Sequence, residues 1–499
     1  MRRKRAIINT LFATLQEFVS VVSSFIIPRL ILSHFGSTYN GLVSSITQFL
    51  GYAVLLRAGI GGATRAALYK PIAEGDKDKV SGIMVATKKY MSKIAMILLV
   101  LIIGFASIYP LFVIEEFDYV FSFSLFLIIG ISTFVESMWG ISNLILLQAD
   151  QKLYISSIAR IVSILANTIL AVILINSGCN IHIVKLGSTV AFCLYPLLLQ
   201  GYVTRHYSID YNVQADNIAI SQRWDAFFHQ VASFVMNNTD VMVLTIFAEI
   251  KEVSVYSVYN LISNGIKKLV TNFTSGMEAA FGNMIAQNQT DALKKNFDIV
   301  QYIIFSVATI VYTSATLLIL EFVAIYTKGV NDTNYIRPIF AYLLMFTQFF
   351  TCVRQPYQLV VQAAGHYKQT KNGAMAEAAL NIVISVIAVI RFGLVGVIFG
   401  TLAATIFRTI QYSVYVTRHI IKGSLSSFIR LCVIAATEAA TAIILYHILP
   451  IEKANNYFEW GIHGIICILI VGLLVFGVSF MFNRNELFLV MKKVNIIAK

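Results

Sequence analysis

Apolar stretches of about 20 residues recur along the whole chain, with short polar gaps between them, and a helix of that length spans a bilayer. Of the 499 residues, 58% are hydrophobic and 13% are charged, whereas soluble proteins hold roughly 45–50% and 25%. A closed β-barrel would instead show short strands of alternating hydrophobicity. The pattern therefore excludes a soluble enzyme and predicts an all-α polytopic membrane protein.

The apolar stretches predict about 14 transmembrane helices. Their predicted bounds are residues 6–33, 39–69, 88–112, 119–148, 153–176, 181–204, 224–248, 254–286, 299–323, 335–364, 372–391, 394–417, 428–448 and 460–482. The basic start leads into a long segment that contains Gln16 and Glu17 and has no small-residue cleavage site. This segment is typical of a first membrane helix and not of a removed signal peptide.

The 38 Lys and Arg residues report the orientation of the chain. Loops and ends on the side of the N-terminus hold 24 of them, and the opposite side holds six, Lys185 among them. Because positively charged loops stay in the cytoplasm, both termini are predicted to be cytoplasmic. The net charge of +13 therefore reflects membrane topology and gives no reason to expect a nucleic-acid partner.

The chain resembles itself at an offset of 214 residues. The matches at this offset include Gly62 with Gly276, Gln148-Ala149 with Gln362-Ala363, and Asn167 with Asn381. A repeat of six helices in unchanged orientation predicts two six-helix lobes, related by a pseudo-two-fold axis along the membrane normal, with a transport path between them. The predicted divisions are residues 1–208 and 209–420 for the lobes, and 421–499 for an appended C-terminal helix pair and tail.

Eight cations fall inside predicted helices, although a charge at the bilayer centre costs at least about 2.5–3.5 kcal/mol. They are Arg29, Arg57, Arg65, Arg160, Lys267, Lys268, Arg354 and Arg408. Polar residues also follow single helical faces. On the seventh and eighth helices, these rows include His229, Ser233, Asn237, Asp240, Tyr256, Asn260 and Lys267. Such faces line a hydrated cavity or contact one another.

Two interpretations apply to these charges. Arg57, Lys267 and Lys268 lie well inside helices that the repeat makes equivalent, and their surplus positive charge favours a phosphate or diphosphate ligand. For the other four residues we expect mutual pairing within the helix bundle instead. They are Arg160, Arg408, Glu136 and Glu438.

Glu17 and Asp240 are acids in the middle of the first helix of each predicted lobe. Buried carboxylates commonly bind a proton or Na⁺, so both residues are candidates for ion coupling. Pairing with a nearby Arg is the alternative interpretation. No nucleotide-binding or hydrolase motif occurs, and the five scattered cysteines form no metal-ligand pattern. We therefore expect neither enzymatic activity nor a cofactor, apart from a coupling ion.

Five stretches carry a resemblance to a known family. They are SHFGSTYNGLVSSITQFLGY, AGIGGATRAALYKPIAEGDKDK, LLQADQKLY, NNTDVMVLTIFAEIKEVSVYSVYNLI and EAALNIVISVIAVIRFGLVGVIFGTLAATIFRTI. With them the chain resembles the bacterial polysaccharide transporter family, within the multidrug/oligosaccharidyl-lipid/polysaccharide exporter superfamily. The resemblance implies two six-helix lobes forming a V and an added helix pair. It also implies ion-driven transport of undecaprenyl-diphosphate-linked repeat units across the bacterial plasma membrane.

The resulting hypothesis is a flippase for capsule or O-antigen-type polysaccharide. Arg57, Lys267 and Lys268 would hold the diphosphate. The path would be completed by Arg29, Arg65 and Arg354, and the glycan would contact Tyr256, Asn260, Gln355 and Gln358. Membrane lipids, a polysaccharide polymerase and glycosyltransferases are the further expected partners. The alternatives are a peptidoglycan-precursor flippase, a cation-coupled multidrug exporter, and a non-transporting scaffold of a polysaccharide assembly complex.

Overall fold

The structure is a computed structural model that describes residues 2–57, 60–216, 238–272, 274, 277–449, 452–484 and 486–490. Within these residues the regular structure is entirely helical. Nine of the described helices are long and apolar enough to cross a membrane. The chain is therefore an all-α, multi-pass membrane protein, as its apolar stretches predict.

The helices follow one another with short connections. Those before residue 210 are α1 (Arg2–Phe35), α2 (Ser37–Val54), α3 (Ile60–Glu74), α4 (Lys77–Ile108), α5 (Tyr119–Val135), α6 (Ile141–Ala149), α7 (Leu153–Asn176) and α8 (Ile181–His206). Those after it are α9 (Asn238–Phe247), α10 (Ile250–Asn272), α11 (Met277–Ala286), α12 (Thr290–Tyr326), α13 (Pro338–Val353), α14 (Gln355–Ala363), α15 (Tyr367–His419), α16 (Ser426–Ile448) and α17 (Tyr457–Phe482).

Nine long helices agree with fourteen predicted spans because several spans are divided or joined. The second, eighth and tenth spans each consist of two shorter helices, whereas α15 joins the eleventh and twelfth spans. Most of the seventh span, residues 224–248, lies outside the described residues, and α9 is its described end.

The helix boundaries repeat at the offset found in the sequence. Helix α6 ends at Ala149 and α14 ends at Ala363, which is 214 residues later. Helix α7 begins at Leu153 and α15 begins at Tyr367, again 214 residues apart. The sparse sequence matches thus reflect a duplicated order of helices.

Interruptions within the spans are duplicated too. The second span breaks after Arg57 and the eighth after Asn272, while the fourth contains a π-helical segment, Glu136–Gly140, and the tenth breaks at Arg354. Irregular backbone at membrane depth is tolerated only where it is buried in protein or lines a water-filled cavity. The breaks therefore mark positions where polar groups gather, and three of them carry a charged residue.

Local sequence explains the start of α4. Gly75 ends the preceding turn with a positive φ of 72°, a conformation that costs glycine little. The next residue, Asp76, caps α4 by accepting a hydrogen bond from the Lys79 amide at 3.0 Å. This hydrogen bond lowers the pKa of the Asp76 carboxyl.

Backbone packing groups the chain into two compact units, Met1–Ser254 and Val255–Lys499. In the first unit, α7 packs against α1 and α8, and α5 packs against α4 and α8. In the second unit, α12 packs against α13, α16 and α17, and α13 also packs against α15. The predicted divisions at residues 208 and 420 follow the sequence repeat and remain a prediction.

Gly393 separates the eleventh and twelfth predicted spans inside α15, with φ 52° and ψ −130°. Because this conformation is accessible essentially to glycine alone, we expect Gly393→Ala to lower the free energy of unfolding by about 1–3 kcal/mol. Denaturant titration of the purified variant measures this. Gly461→Ala is the matched control, because that helical glycine has open space around it and the change should be neutral or stabilising. Equal effects of the two substitutions would contradict the prediction.

Candidate functional site

Two arginines share one carboxylate in the first unit. The Arg160 Nη2 atom lies 2.5 Å from Glu136 Oε1, and the Arg57 Nη2 atom lies 3.8 Å from Glu136 Oε2. All three side chains are about four-fifths buried or close to it. Two positive charges and one negative charge leave this cluster with a net charge of +1, within segments that cross the membrane.

Neighbouring groups position the two arginines differently. The Arg160 guanidinium stacks over the Tyr195 ring at 3.6 Å, and the Tyr195 hydroxyl is hydrogen-bonded to Ser156 at 2.9 Å. Arg57 donates one hydrogen bond to Ser137 Oγ at 3.1 Å, in addition to its longer contact with Glu136. Arg160 is therefore held on both sides, and Arg57 is the arginine of this cluster with more hydrogen-bonding capacity left.

A second cluster of the same composition lies in the second unit. Arg354 Nη1 donates to Glu377 Oε1 at 2.6 Å, and Arg408 Nε lies 3.4 Å from Glu377 Oε2. Arg408 also donates to the Thr370 carbonyl at 3.0 Å and to Gln411 at 2.7 Å. This cluster is drier than the first, because the Arg408 and Glu377 side chains are only 4% and 7% exposed.

Lys267 adds a further positive charge to the second cluster. It is half-buried on α10 and lies within electrostatic range of the Arg354 guanidinium. It forms no hydrogen bond or ion pair with another described residue. Lys267, Arg354, Glu377 and Arg408 together carry a net charge of +2.

The predicted mutual pairing is confirmed for three residues and wrong for one. Arg160 pairs with Glu136, and Arg408 pairs with Glu377. Glu438 is 4% exposed and has no hydrogen-bond or ion-pair partner in the described part of the chain. The reason lies in its neighbours: α16 packs against α12 and α17, and neither of those helices contains an arginine.

Other predicted site residues of the first unit have separate environments. Arg65 donates to Gln148 Oε1 at 2.6 Å, which joins α3 to α6. Arg29 and Glu17 are half-buried on α1. Asp240 is buried on α9, with Tyr52 within electrostatic range. The predicted neighbours of Asp240 on the seventh helix, His229, Ser233 and Asn237, lie outside the described residues.

The predicted glycan ligands all belong to the second unit. Tyr256 is buried, with its ring centroid 5.9 Å from that of Phe340. The remaining three, Asn260, Gln355 and Gln358, are half-buried. Lys268 is exposed, unlike its neighbour Lys267.

Two charged residues that matter in the structure had been missed in the sequence. Glu377 lies within the predicted span 372–391 and is its one acidic residue, which was a sufficient signal for a buried partner of an arginine. Lys185 had been counted with the outer loops, although it lies inside the predicted span 181–204 and is 9% exposed. Among the described residues, no group of three His, Cys, Asp or Glu side chains is arranged to hold a metal ion.

No protein-family model and no curated protein matches the chain. Solved structures do match its fold. The lipid II flippase MurJ in an inward closed conformation superposes with a TM-score of 0.73 at 14% identity, over 95% of this chain and 99% of that one. An inward-facing multidrug resistance MATE family transporter of the MOP superfamily gives 0.64 at 14%, over 80% and 95%.

A third structure, the eukaryotic MATE transporter AtDTX14, gives a TM-score of 0.55 at 13% identity, over 86% of this chain and 99% of that one. The chain therefore has the fold of these membrane transporters. At such identities the likeness concerns the fold, and the charged clusters of this chain have to be interpreted from their own chemistry.

Proposed function

We propose that the protein is a non-enzymatic flippase that moves undecaprenyl-diphosphate-linked oligosaccharide repeat units across the bacterial plasma membrane by ion-coupled alternating access. The observation that carries this proposal is the positive surplus of both arginine clusters, +1 in the first unit and +2 in the second. Buried charge of one sign needs a ligand of the other sign, and a diphosphate offers two or more negative charges and several acceptor oxygens.

The proposed ligands divide by the part of the substrate they meet. Arg57, Lys267 and Lys268 hold the diphosphate, and Arg29, Arg65 and Arg354 contribute along the path. Tyr256, Asn260, Gln355 and Gln358 bind glycan hydroxyls. Arg57 and Lys267 support this division best, because each is largely buried and retains hydrogen bonds to donate.

Two alternatives are disfavoured by the same charges. A multidrug exporter for organic cations calls for an acidic interior, whereas each described cluster has more arginine and lysine than glutamate. A non-transporting scaffold calls for buried charges that neutralise one another, and Lys267 has no ion-pair partner among the described residues.

A peptidoglycan-precursor flippase is the second candidate function. It is favoured by the superposition on the lipid II flippase MurJ, which covers nearly all of both chains, whereas the MATE family transporter leaves a fifth of this chain unmatched. Lipid II also carries a diphosphate, so the arginine clusters suit either substrate. The polysaccharide assignment includes a polymerase and glycosyltransferases as partners, and cytoplasmic termini.

Reconstitution into liposomes tests the proposal and separates the two candidates. Vesicles receive a fluorescent polyprenyl-diphosphate oligosaccharide, fluorescent lipid II, or a fluorescent organic cation, and a membrane-impermeant quencher reports how much label changes sides. We expect the protein to move the polyprenyl-diphosphate oligosaccharide at least about tenfold faster than protein-free vesicles do. Faster movement of lipid II would favour the second candidate, and movement of the cation alone would refute both.

The same vesicles test the proposed coupling sites. We expect a proton or Na⁺ gradient to accelerate transport in the unaltered protein and to have less effect in Glu17→Gln and Asp240→Asn variants, which cannot carry the carboxylate charge. If both variants keep the full gradient dependence, these residues are not the coupling sites.

A further inference from the structure

A cavity of about 330 Å³ lies inside the first unit, among α1, α2, α5, α7 and α8. It is separate from the Arg57–Glu136–Arg160 cluster, because none of those three residues lines it. One wall is apolar. The polar wall consists of Thr47, Ser132, Asn167, Lys185, Ser188 and Thr189, with Thr133 beside them.

Lys185 brings the one charge of this cavity lining. Its side chain is nine-tenths buried, on the second turn of α8. It makes no hydrogen bond or ion pair with any described residue, and none of the residues that line the cavity is acidic. A buried ammonium without a counter-charge is costly, so the cavity requires an occupant that compensates it.

The remaining polar groups of the cavity present acceptors. The hydroxyls of Thr47, Ser132, Ser188 and Thr189 already donate to backbone carbonyls at 2.7–3.1 Å. The buried Asn167 Oδ1 atom has no hydrogen-bond partner. Water that binds to such oxygens has its second hydrogen free for another acceptor. The lining therefore suits an anion that contacts the ammonium directly and the oxygens through water.

The internal repeat shows that this charge is not a requirement of the fold. Asn167 has its equivalent in Asn381, whose Oδ1 atom likewise has no partner. Lys185 instead corresponds to Phe399, and Ser188 and Thr189 correspond to Leu402 and Ala403. Since the duplicated helices form without a lysine in the second unit, the buried cation is a specific feature of the first unit.

We infer that the cavity around Lys185 is a binding site for one hydrated monovalent anion. A single ammonium neutralises a single negative charge, whereas a diphosphate here would leave an excess buried charge. A volume of about 330 Å³ also exceeds the roughly 30 Å³ of one water severalfold, which leaves room for an ion and several waters. The site requires none of the residues proposed to bind the transported lipid.

Thermal unfolding of the purified full-length protein tests this inference, with chloride titrated against gluconate at constant ionic strength. We expect chloride at a hundredfold excess over its Kd to raise the unfolding midpoint by about 2–3 °C. Lys185→Met should unfold at the same or a higher midpoint without chloride, because it removes an unpaired buried charge, and should show no chloride-dependent rise. Lys185→Arg should keep the rise.

Lys89→Met is the matched control, because Lys89 is an exposed lysine of the same unit, and its variant should respond to chloride as the unaltered protein does. Calorimetric titration should show chloride binding at least about tenfold weaker in Lys185→Met. Bromide should give an anomalous diffraction peak in the cavity. The inference is overturned if chloride stabilises Lys185→Met as much as the unaltered protein, or stabilises neither. No lipid substrate is present, so either result leaves the flippase proposal intact.

Discussion

Replacement of Glu377 by alanine is expected to lower the free energy of unfolding by about 3–5 kcal/mol, the usual cost of removing one partner from a buried ion pair. Glu377 is 7% exposed and accepts from both Arg354 and Arg408. Its removal would leave two guanidinium groups in a dry environment without a counter-charge. Unfolding of the purified variant in a denaturing detergent measures the loss.

Glu438 supplies the matched control for this prediction. It is as deeply buried as Glu377, on α16, but it has no hydrogen-bond or ion-pair partner among the described residues. Glu438→Leu should therefore leave stability unchanged or increase it, since it removes a buried polar group that nothing satisfies. Similar losses in both variants would mean that burial alone, and not the pairing with two arginines, determines the cost.

Charge reversal at Lys267 is expected to reduce transport of the diphosphate-linked substrate at least about a hundredfold. Truncating one member of a buried charge pair commonly costs 2–5 kcal/mol, and a glutamate here would also repel the diphosphate and attract Arg354. Lys267→Glu combined with Lys268→Glu should abolish surface polysaccharide while the protein remains in the membrane. Liposome transport and surface glycan staining measure the two effects.

The neighbouring lysine provides an internal control for Lys267. Lys268 is exposed, so Lys268→Glu alone should have a small effect, and Lys267→Arg should retain most of the transport because it keeps the charge. Membrane levels of every variant are compared by immunoblotting. Undiminished export by the double variant would refute the assignment of an anionic substrate to these residues.

Much of the fold was predictable from the sequence because the bilayer imposes one dominant requirement. Backbone groups in a membrane must be satisfied within a helix, so each span appears as a long apolar run. The repeat was predictable as well, and the helix ends at Ala149 and Ala363 confirm its offset. Helix interruptions were not predicted, because a broken span such as 39–69 retains the apolar composition of a continuous one.

Charge partners were harder to predict than helices. Periodicity indicates which side chains share one helical face, but not which neighbouring helix that face contacts. Arg354 and Glu377 are 23 residues apart in the chain, and their pairing depends on how α13 and α14 pack against α15. The same uncertainty explains the wrong expectation for Glu438, whose neighbouring helices carry no arginine.

The shared carboxylates have a consequence for selectivity among anions. Glu136 and Glu377 are tethered beside their arginines, so each acts as a built-in competitor whose effective concentration is in the millimolar range or above. Free inorganic phosphate must displace this competitor with the energy of a single contact. A ligand that also engages Lys267 and inserts a lipid tail into the bilayer gains enough additional energy to succeed. The clusters would therefore reject abundant cytoplasmic anions without needing a gate.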